Sequence, residues 1–202
     1  MKITVITPEN REPGEINKII ALFENGLETL HLKKRKLSSL EMESFIREIP
    51  AQYYDKIVIH GHYKLAVKFK LKGIHLIKSH RGNSVADRWR RFKLKLQHRK
   101  LIFTTSFHSL QSLQQNKSSF EYVFLSPVFT SKTYYDPAEE SGLNVLREAI
   151  NLSNQKVLAL GGVNEEKLPI VKAAGFSGIG LSSSIWKSVQ TPSKSLVRFL
   201  AA

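Results

Sequence analysis

Apolar positions along this chain follow two alternating periods. Short runs dense in aliphatic and β-branched residues, among them "KITVIT", "ETLHL", "KIVIH" and "GIHLI", are each followed by a stretch whose apolar residues recur three and four apart. The first pattern suits a strand buried on both faces, the second a helix with one apolar stripe. After "KITVIT", Ile16, Ile19, Ile20 and Phe23 mark a helix that stops at Gly26, a residue favoured just past a helix end. A helix through Leu40 to Ile49 is closed by Pro50, and another covers Tyr63 to Phe69. The alternation continues through "KLIFTTS", "YVFLSPVF", "KVLALGG" and "GIGLSS", with one long loop, Ser126 to Gly142, after the sixth strand. Eight strand–helix units in 202 residues predict a single (β/α)8 TIM barrel over residues 1–202. An open doubly wound sheet is the structural alternative.

In such a barrel the chemistry lies where the βα loops converge, at the carboxyl ends of the strands. His31 ends the second strand, His60 and His62 end the third in "VIHGHYKLA", His75 lies in the fourth, and His80 and His108 follow the fourth and fifth. Imidazoles gathered at one rim suit three roles: holding an anion or ring, exchanging protons, or ligating a transition metal. Binding ranks first and metal last. With an ordinary pKa near 6.5, a rim histidine that binds an anion would strengthen binding as pH falls from about 8 to about 6.

Composition narrows the partners. The chain has no cysteine, which excludes disulfides and thiolate metal sites. Its 31 Lys and Arg against 17 Asp and Glu give +14, a field that attracts anions generally. Two basic runs stand out, "KKRK" (Lys33 to Lys36) and "RWRRFKLKLQHRK" (Arg88 to Lys100). In the second, Val85, Trp89, Phe92 and Leu96 recur at helical spacing, which predicts a stripe buried against the barrel with a solvated basic face. Nucleic acid is a disfavoured partner. "MKITVITPEN" lacks a signal-peptide run and no apolar segment approaches a membrane span, so a soluble, cytoplasmic protein with no membrane partner is expected.

The last two strands carry the most specific chemistry. "ALGGVNEEKL" places Gly161 and Gly162 after the seventh strand, with Asn164 able to cap the next helix, and "GIGLSSSIW" places Ser182 and Ser183 after the eighth. Glycine lets backbone N–H groups approach an anion, and a helix start adds donors. This predicts a phosphate cradle.

At this point the chain resembles the thiamine-phosphate synthase and thiazole tautomerase superfamily. "ITVITPEN", "LHLKKR", "IHGHYKLA", "GIHLIKSH", "TTSFHSL", "YVFLSPVFTSKT" and the closing "ALGGVNEEKLPIVKAAGFSGIGLSSSIW" follow that family's strand motifs in order and spacing. The resemblance implies a thiamine-biosynthesis transferase that acts on a phosphorylated thiazole, an aminopyrimidine diphosphate, or both. By position it implies Lys33, Arg35, Ser106, Ser131 and Thr133 as substrate-binding groups, with His62 beside them, and Gly161, Gly162, Ser182 and Ser183 as the phosphate cradle. His31, His60, His108 and Lys132 are the acid–base or charge-stabilising candidates. Magnesium is the family's expected cofactor, yet its carboxylate positions fall at Gly61 and His80, so no metal ligand is assigned. The tautomerase's sixth-strand histidine falls at Pro127. A tautomerase-like enzyme, or a non-catalytic paralogue that binds phosphate ligands, is the alternative, and a homodimer is an open arrangement.

Overall fold

The computed structural model describes residues 1–129 and 139–201. Eight parallel strands close into a barrel in sequence order: β1 (Lys2–Ile6), β2 (Leu30–Leu32), β3 (Ile57–His60), β4 (Gly73–Leu76), β5 (Ile102–Phe107), β6 (Tyr122–Leu125), β7 (Val157–Leu160) and β8 (Gly178–Leu181). β1 pairs with β8 to complete the closure. The helices are α1 (Glu15–Glu24), α2 (Ser39–Glu48), α3 (Tyr63–Lys68), α4 (Val85–Gln97), α5 (Leu110–Gln114), α6 (Glu140–Asn151), α7 (Leu168–Ala173), α8 (Ser183–Trp186) and α9 (Pro192–Ala201). The barrel expectation is met.

Local signals account for many boundaries. Gly26 sits at φ 94° just past α1 and donates its N–H to the Phe23 carbonyl. Ser38 and Glu41 form a reciprocal capping box at the start of α2, which satisfies two otherwise orphaned donors. The Asn164 side chain accepts from the Lys167 N–H, as its position after β7 suggests.

Two apolar regions hold the barrel. The larger lies between strands and helices and includes Leu22, Phe45, Ile59, Leu76, Val123 and Ile179. The smaller fills one side of the interior with Ile6, Tyr122, Phe124 and Leu158. Gly180 makes room for that filling, because a Cβ there would come 2.7 Å from the Phe124 ring.

One buried contact departs from the sequence pattern. Lys34 belongs to the basic run "KKRK", yet its side chain is fully buried, with Nζ 2.6 and 2.8 Å from the two carboxylate oxygens of Glu15 and 2.7 Å from the Asn10 carbonyl. Removing one member of such a pair strands the other charge away from water. Glu15→Gln is therefore expected to cost about 3–5 kcal/mol in urea unfolding, whereas Glu15→Leu with Lys34→Met should recover most of the loss. A cost under about 1 kcal/mol for Glu15→Gln, the value of an exposed pair, would contradict this role.

Candidate active site

A cavity of about 1110 Å³ opens at the carboxyl ends of the strands. Of the candidates named from sequence, Lys33, Arg35, His60, Ser106, His108, Gly161 and Ser182 line it. His31 lies beneath it, fully buried. His62 sits outside it at φ 48° with Nδ1 2.9 Å from the Ser39 hydroxyl, and His80 pairs with the Tyr63 hydroxyl at 3.2 Å. Gly162 and Ser183 line a separate depression with Asn164 and Arg198, so the four cradle residues divide between two walls. Lys132, Ser131 and Thr133 lie outside the described residues.

The described lining of the cavity is predominantly cationic. Lys33, Arg35, Lys78 and Arg81 line it, and Glu9 is the one acidic side chain among its described lining residues. Glu9 is already engaged, 3.3 Å from the Arg35 guanidinium and 3.9 Å from the Lys33 ammonium. The Lys33 N–H donates to the Thr7 hydroxyl at 2.9 Å, which fixes the chain where β2 ends. Arg81 lays its guanidinium 4.2 Å from the Phe107 ring centre and donates to the Ser106 carbonyl. Burial lowers its pKa from the usual arginine value, but an arginine stays charged at neutral pH.

Opposite these cations, Gly161 stands at φ 94° and a Cβ there would come 3.0 Å from the Pro127 backbone. Ser184 donates its hydroxyl to the Val163 carbonyl, which ties the loop after β8 to the loop after β7. Gly162, at φ 71°, packs directly on the Phe129 carbonyl. Its lack of a side chain is thus first a packing requirement, and a larger residue there would report on folding as much as on ligand.

Below the cavity, polar side chains cross the barrel. His31 on β2 places Nε2 2.6 Å from the Tyr122 hydroxyl on β6 and Nδ1 3.0 Å from Nε2 of His60 on β3. His75 on β4 is held by two hydroxyls, Thr104 at 2.9 Å and Ser106 at 3.0 Å, and stacks on the His60 ring at 4.2 Å. Burial pushes the pKa of His31 and His60 well below the ordinary value and that of His75 to about 3. Neighbouring imidazoles and the cavity's Lys33 and Arg35 push His60 and His75 in the same direction. All three rings are neutral at pH 7.

Neutrality decides the proton positions. Burial raises the Tyr122 pKa, so it stays a phenol, and among the described residues its hydroxyl has no partner besides His31. A buried O–H left without an acceptor is costly, so Tyr122 donates to His31 Nε2. His31 then carries its proton on Nδ1 and donates to His60 Nε2. The His60 proton is left on Nδ1, which makes this residue a hydrogen-bond donor and not a base. His108 has the opposite character. Its Nδ1 donates to the Ser126 carbonyl at 2.8 Å, which in the neutral ring leaves Nε2 as a lone pair. His108 is an exposed imidazole of the cavity wall, whereas His31 is fully buried and meets the cavity-lining His60.

Among the described residues the donor set does not fit magnesium, which needs several hard oxygen ligands: of the described lining residues only Glu9 supplies a carboxylate, and two cations hold it. Nitrogens of His31, His60 and His75 lie within 4.8 Å of one another. A shared ion would have to lie about 2 Å from each nitrogen in the plane of its ring. The His60 and His75 planes are within 13° of parallel and stacked, so they do not aim at a common point.

Sequence reading did not select Glu9, Lys78, Arg81, Tyr122 or Ser126. Of these, Tyr122 had a signal, since its position two before Phe124 places both on the same strand face.

Together these features define a (β/α)8 barrel with a cation-lined cavity at the strand ends. A family profile described as thiamine monophosphate synthase matches residues 3–185, and the chain belongs to that family. It is 27% identical over 175 residues to thiamine-phosphate synthase of Photorhabdus laumondii, covering 84% of this chain and 78% of that one. The corresponding protein of Dictyoglomus thermophilum is 24% identical over 190 residues, 92% of this chain and 82% of that one. The crystal structure of thiamine phosphate pyrophosphorylase from Bacteroides thetaiotaomicron superposes with a TM-score of 0.73 at 29% identity, over 98% of this chain and 92% of that one.

Two pH effects follow from the neutral histidines. Because their folded pKa values lie below the unfolded value, the unfolded chain takes up protons first as pH falls. Their contribution to stability is complete above about pH 6.5 and is lost as pH falls from there toward the folded values, about 3 for His75. Each histidine should contribute a slope of up to about 1.4 kcal/mol per pH unit. Urea unfolding at descending pH checks this, with His75→Gln expected to show a shallower slope and an equal slope counting against it. The sequence expectation that His60 strengthens anion binding by becoming charged is corrected here, since burial keeps it neutral. Ligand affinity of wild type and His60→Gln, measured by calorimetry from about pH 8 to about pH 6, should run parallel, with the variant weaker throughout.

Proposed function

We propose that this protein is a transferase of thiamine biosynthesis that binds a thiazole phosphate and an aminopyrimidine diphosphate in the cavity above the histidines. The observation that carries the reading is the charge arrangement: among the described lining residues, four cations and one carboxylate, already paired, surround a cavity at the strand ends. Gly161 and Ser182 on one wall supply the approach for a monophosphate. Lys33, Arg35, Lys78 and Arg81 on the other suit a diphosphate.

Coupling would break the bond from the pyrimidine's methylene carbon to diphosphate and form a bond from that carbon to the thiazole nitrogen. Negative charge builds on the departing diphosphate, and fixed cations aimed at it lower the barrier. In this reading the arginines and lysines carry that charge and no step passes through magnesium. His60 donates its N–H to a ring or phosphate acceptor, and His108 Nε2 exchanges protons with bound substrate. Ser106, held by His75, orients the pyrimidine side. By analogy with the family's sixth loop, Lys132, Ser131 and Thr133 are assigned a role in binding the diphosphate.

Calorimetry with each substrate, followed by a coupling assay with and without chelator, tests this. Both compounds should bind without added magnesium. Arg35→Gln, an exposed change, should weaken the diphosphate about tenfold to a hundredfold, as expected for losing a charge-assisted hydrogen bond, and should leave the thiazole phosphate nearly unaffected. Failure of both compounds to bind would overturn the assignment, and turnover abolished by chelator would overturn the cation-only account of the leaving group.

A further inference from the structure

The sequence pattern of α4 predicts a stripe buried against the barrel, and the structure reverses it. Val85, Trp89, Phe92 and Leu96 are 82%, 55%, 51% and 66% exposed. At 100° per residue these four positions fall within an arc of about 60°. The buried Asp87 and the core-packed Leu94 lie on the opposite side. The helix therefore rests on the barrel through Asp87 and Leu94 and presents its larger apolar ridge outward. Trp89 and Phe92 stack at 5.5 Å, and the Lys93 ammonium lies 5.3 Å from the Trp89 ring.

The flanks of the ridge are cationic. Arg88 and Lys95 are exposed along one side, Lys93 along the other, and Arg99 and Lys100 beyond the end. The helix's single carboxylate, Asp87, faces inward and is held by Ser84 and Arg90. A contiguous exposed ridge of large apolar side chains marks an interaction surface. A second copy packed ridge to ridge would bring these cations against one another with no free acid on the helix to meet them. An apolar ridge containing Trp, bordered by Lys and Arg, is complementary to the headgroup region of an anionic bilayer, where apolar side chains enter the acyl boundary and cations meet lipid phosphates.

We propose that α4 is an interfacial helix by which the protein docks reversibly on membranes that carry anionic lipid, independently of what the cavity binds. The helix is about 20 Å long, short enough to lie flat on the surface, and nothing need span the bilayer. The loop preceding it supplies Lys78 and Arg81 to the cavity wall, so docking would place the cavity mouth near the membrane surface.

Sedimentation of the full chain with phosphatidylcholine vesicles, pure or with about a third phosphatidylglycerol, tests this. Binding is expected to the anionic vesicles only. It should weaken about tenfold or more in Trp89→Ser with Phe92→Ser, and also when salt is raised from about 0.1 to about 0.5 M. Because these side chains are exposed, the double variant should keep the wild-type circular dichroism and thermal midpoint, which separates docking from folding. No binding to anionic vesicles overturns the proposal. Binding that survives loss of Trp89 and Phe92 also overturns it, since that is adsorption by net charge alone. So does analytical ultracentrifugation showing a dimer that the double variant dissolves, together with absent vesicle binding, which would assign the ridge to a second copy. Substrate calorimetry on the double variant should match wild type, so failure here is distinguishable from failure of the catalytic reading.

Discussion

The Tyr122 to His31 to His60 chain is the constraint around which the barrel is organised. A closed barrel of eight strands must fill its interior with side chains, and buried polar groups must be paired. Here one side is filled with Ile6, Phe124 and Leu158, and the other with imidazoles and hydroxyls. The polar half is tolerable because His31 uses both ring nitrogens, one toward β6 and one toward β3. That bond between non-adjacent strands links opposite walls directly, through side chains alone. It also fixes which nitrogen of His60 carries a proton, so an interaction that fills space at the bottom of the site sets the chemistry at its floor.

Electrostatics connects the interior to the cavity. Neutral rings below and cations above are compatible because burial favours uncharged imidazole and the nearby Lys33 and Arg35 disfavour protonation further. The positive potential at the strand ends then belongs to lysine and arginine side chains and not to imidazoles. The site also sets its histidines in different surroundings, with His60 buried and bonded to His31 and His108 exposed on the wall with Nδ1 at the Ser126 carbonyl.

The strand and helix order was legible because local signals agreed: buried strands read as continuous apolar runs, and Gly26, Ser38 and Asn164 act where their chemistry places them. The clustering of His60 and His108 with Lys33 and Arg35 followed from one rule about strand ends. Other features needed three dimensions. Periodicity identified the apolar face of α4 but carries no sign, so it did not say that the face points outward. A run of four basic residues gave no hint that its second lysine is buried, because the deciding partner, Glu15, comes from α1. Gly162 read as an anion-binding glycine while its nearest neighbour is the Phe129 carbonyl. His31 and His62 both follow strand-end logic, yet one points beneath the cavity and the other away from it.

The burial of Lys34 sorts neighbours of identical composition by chemical accessibility. Lys33 is partly exposed at the cavity, Lys34 is sealed against Glu15, and Lys36 is exposed. Amine acylation requires an unprotonated nitrogen that a reagent can reach. The sealed amine offers no access, and because burial lowers its pKa, it is enclosure and not a tightly held proton that shields it. A reagent passing along "KKRK" would therefore mark the first and last lysines and pass over the second, turning a featureless stretch of charge into a readout of whether the chain is folded.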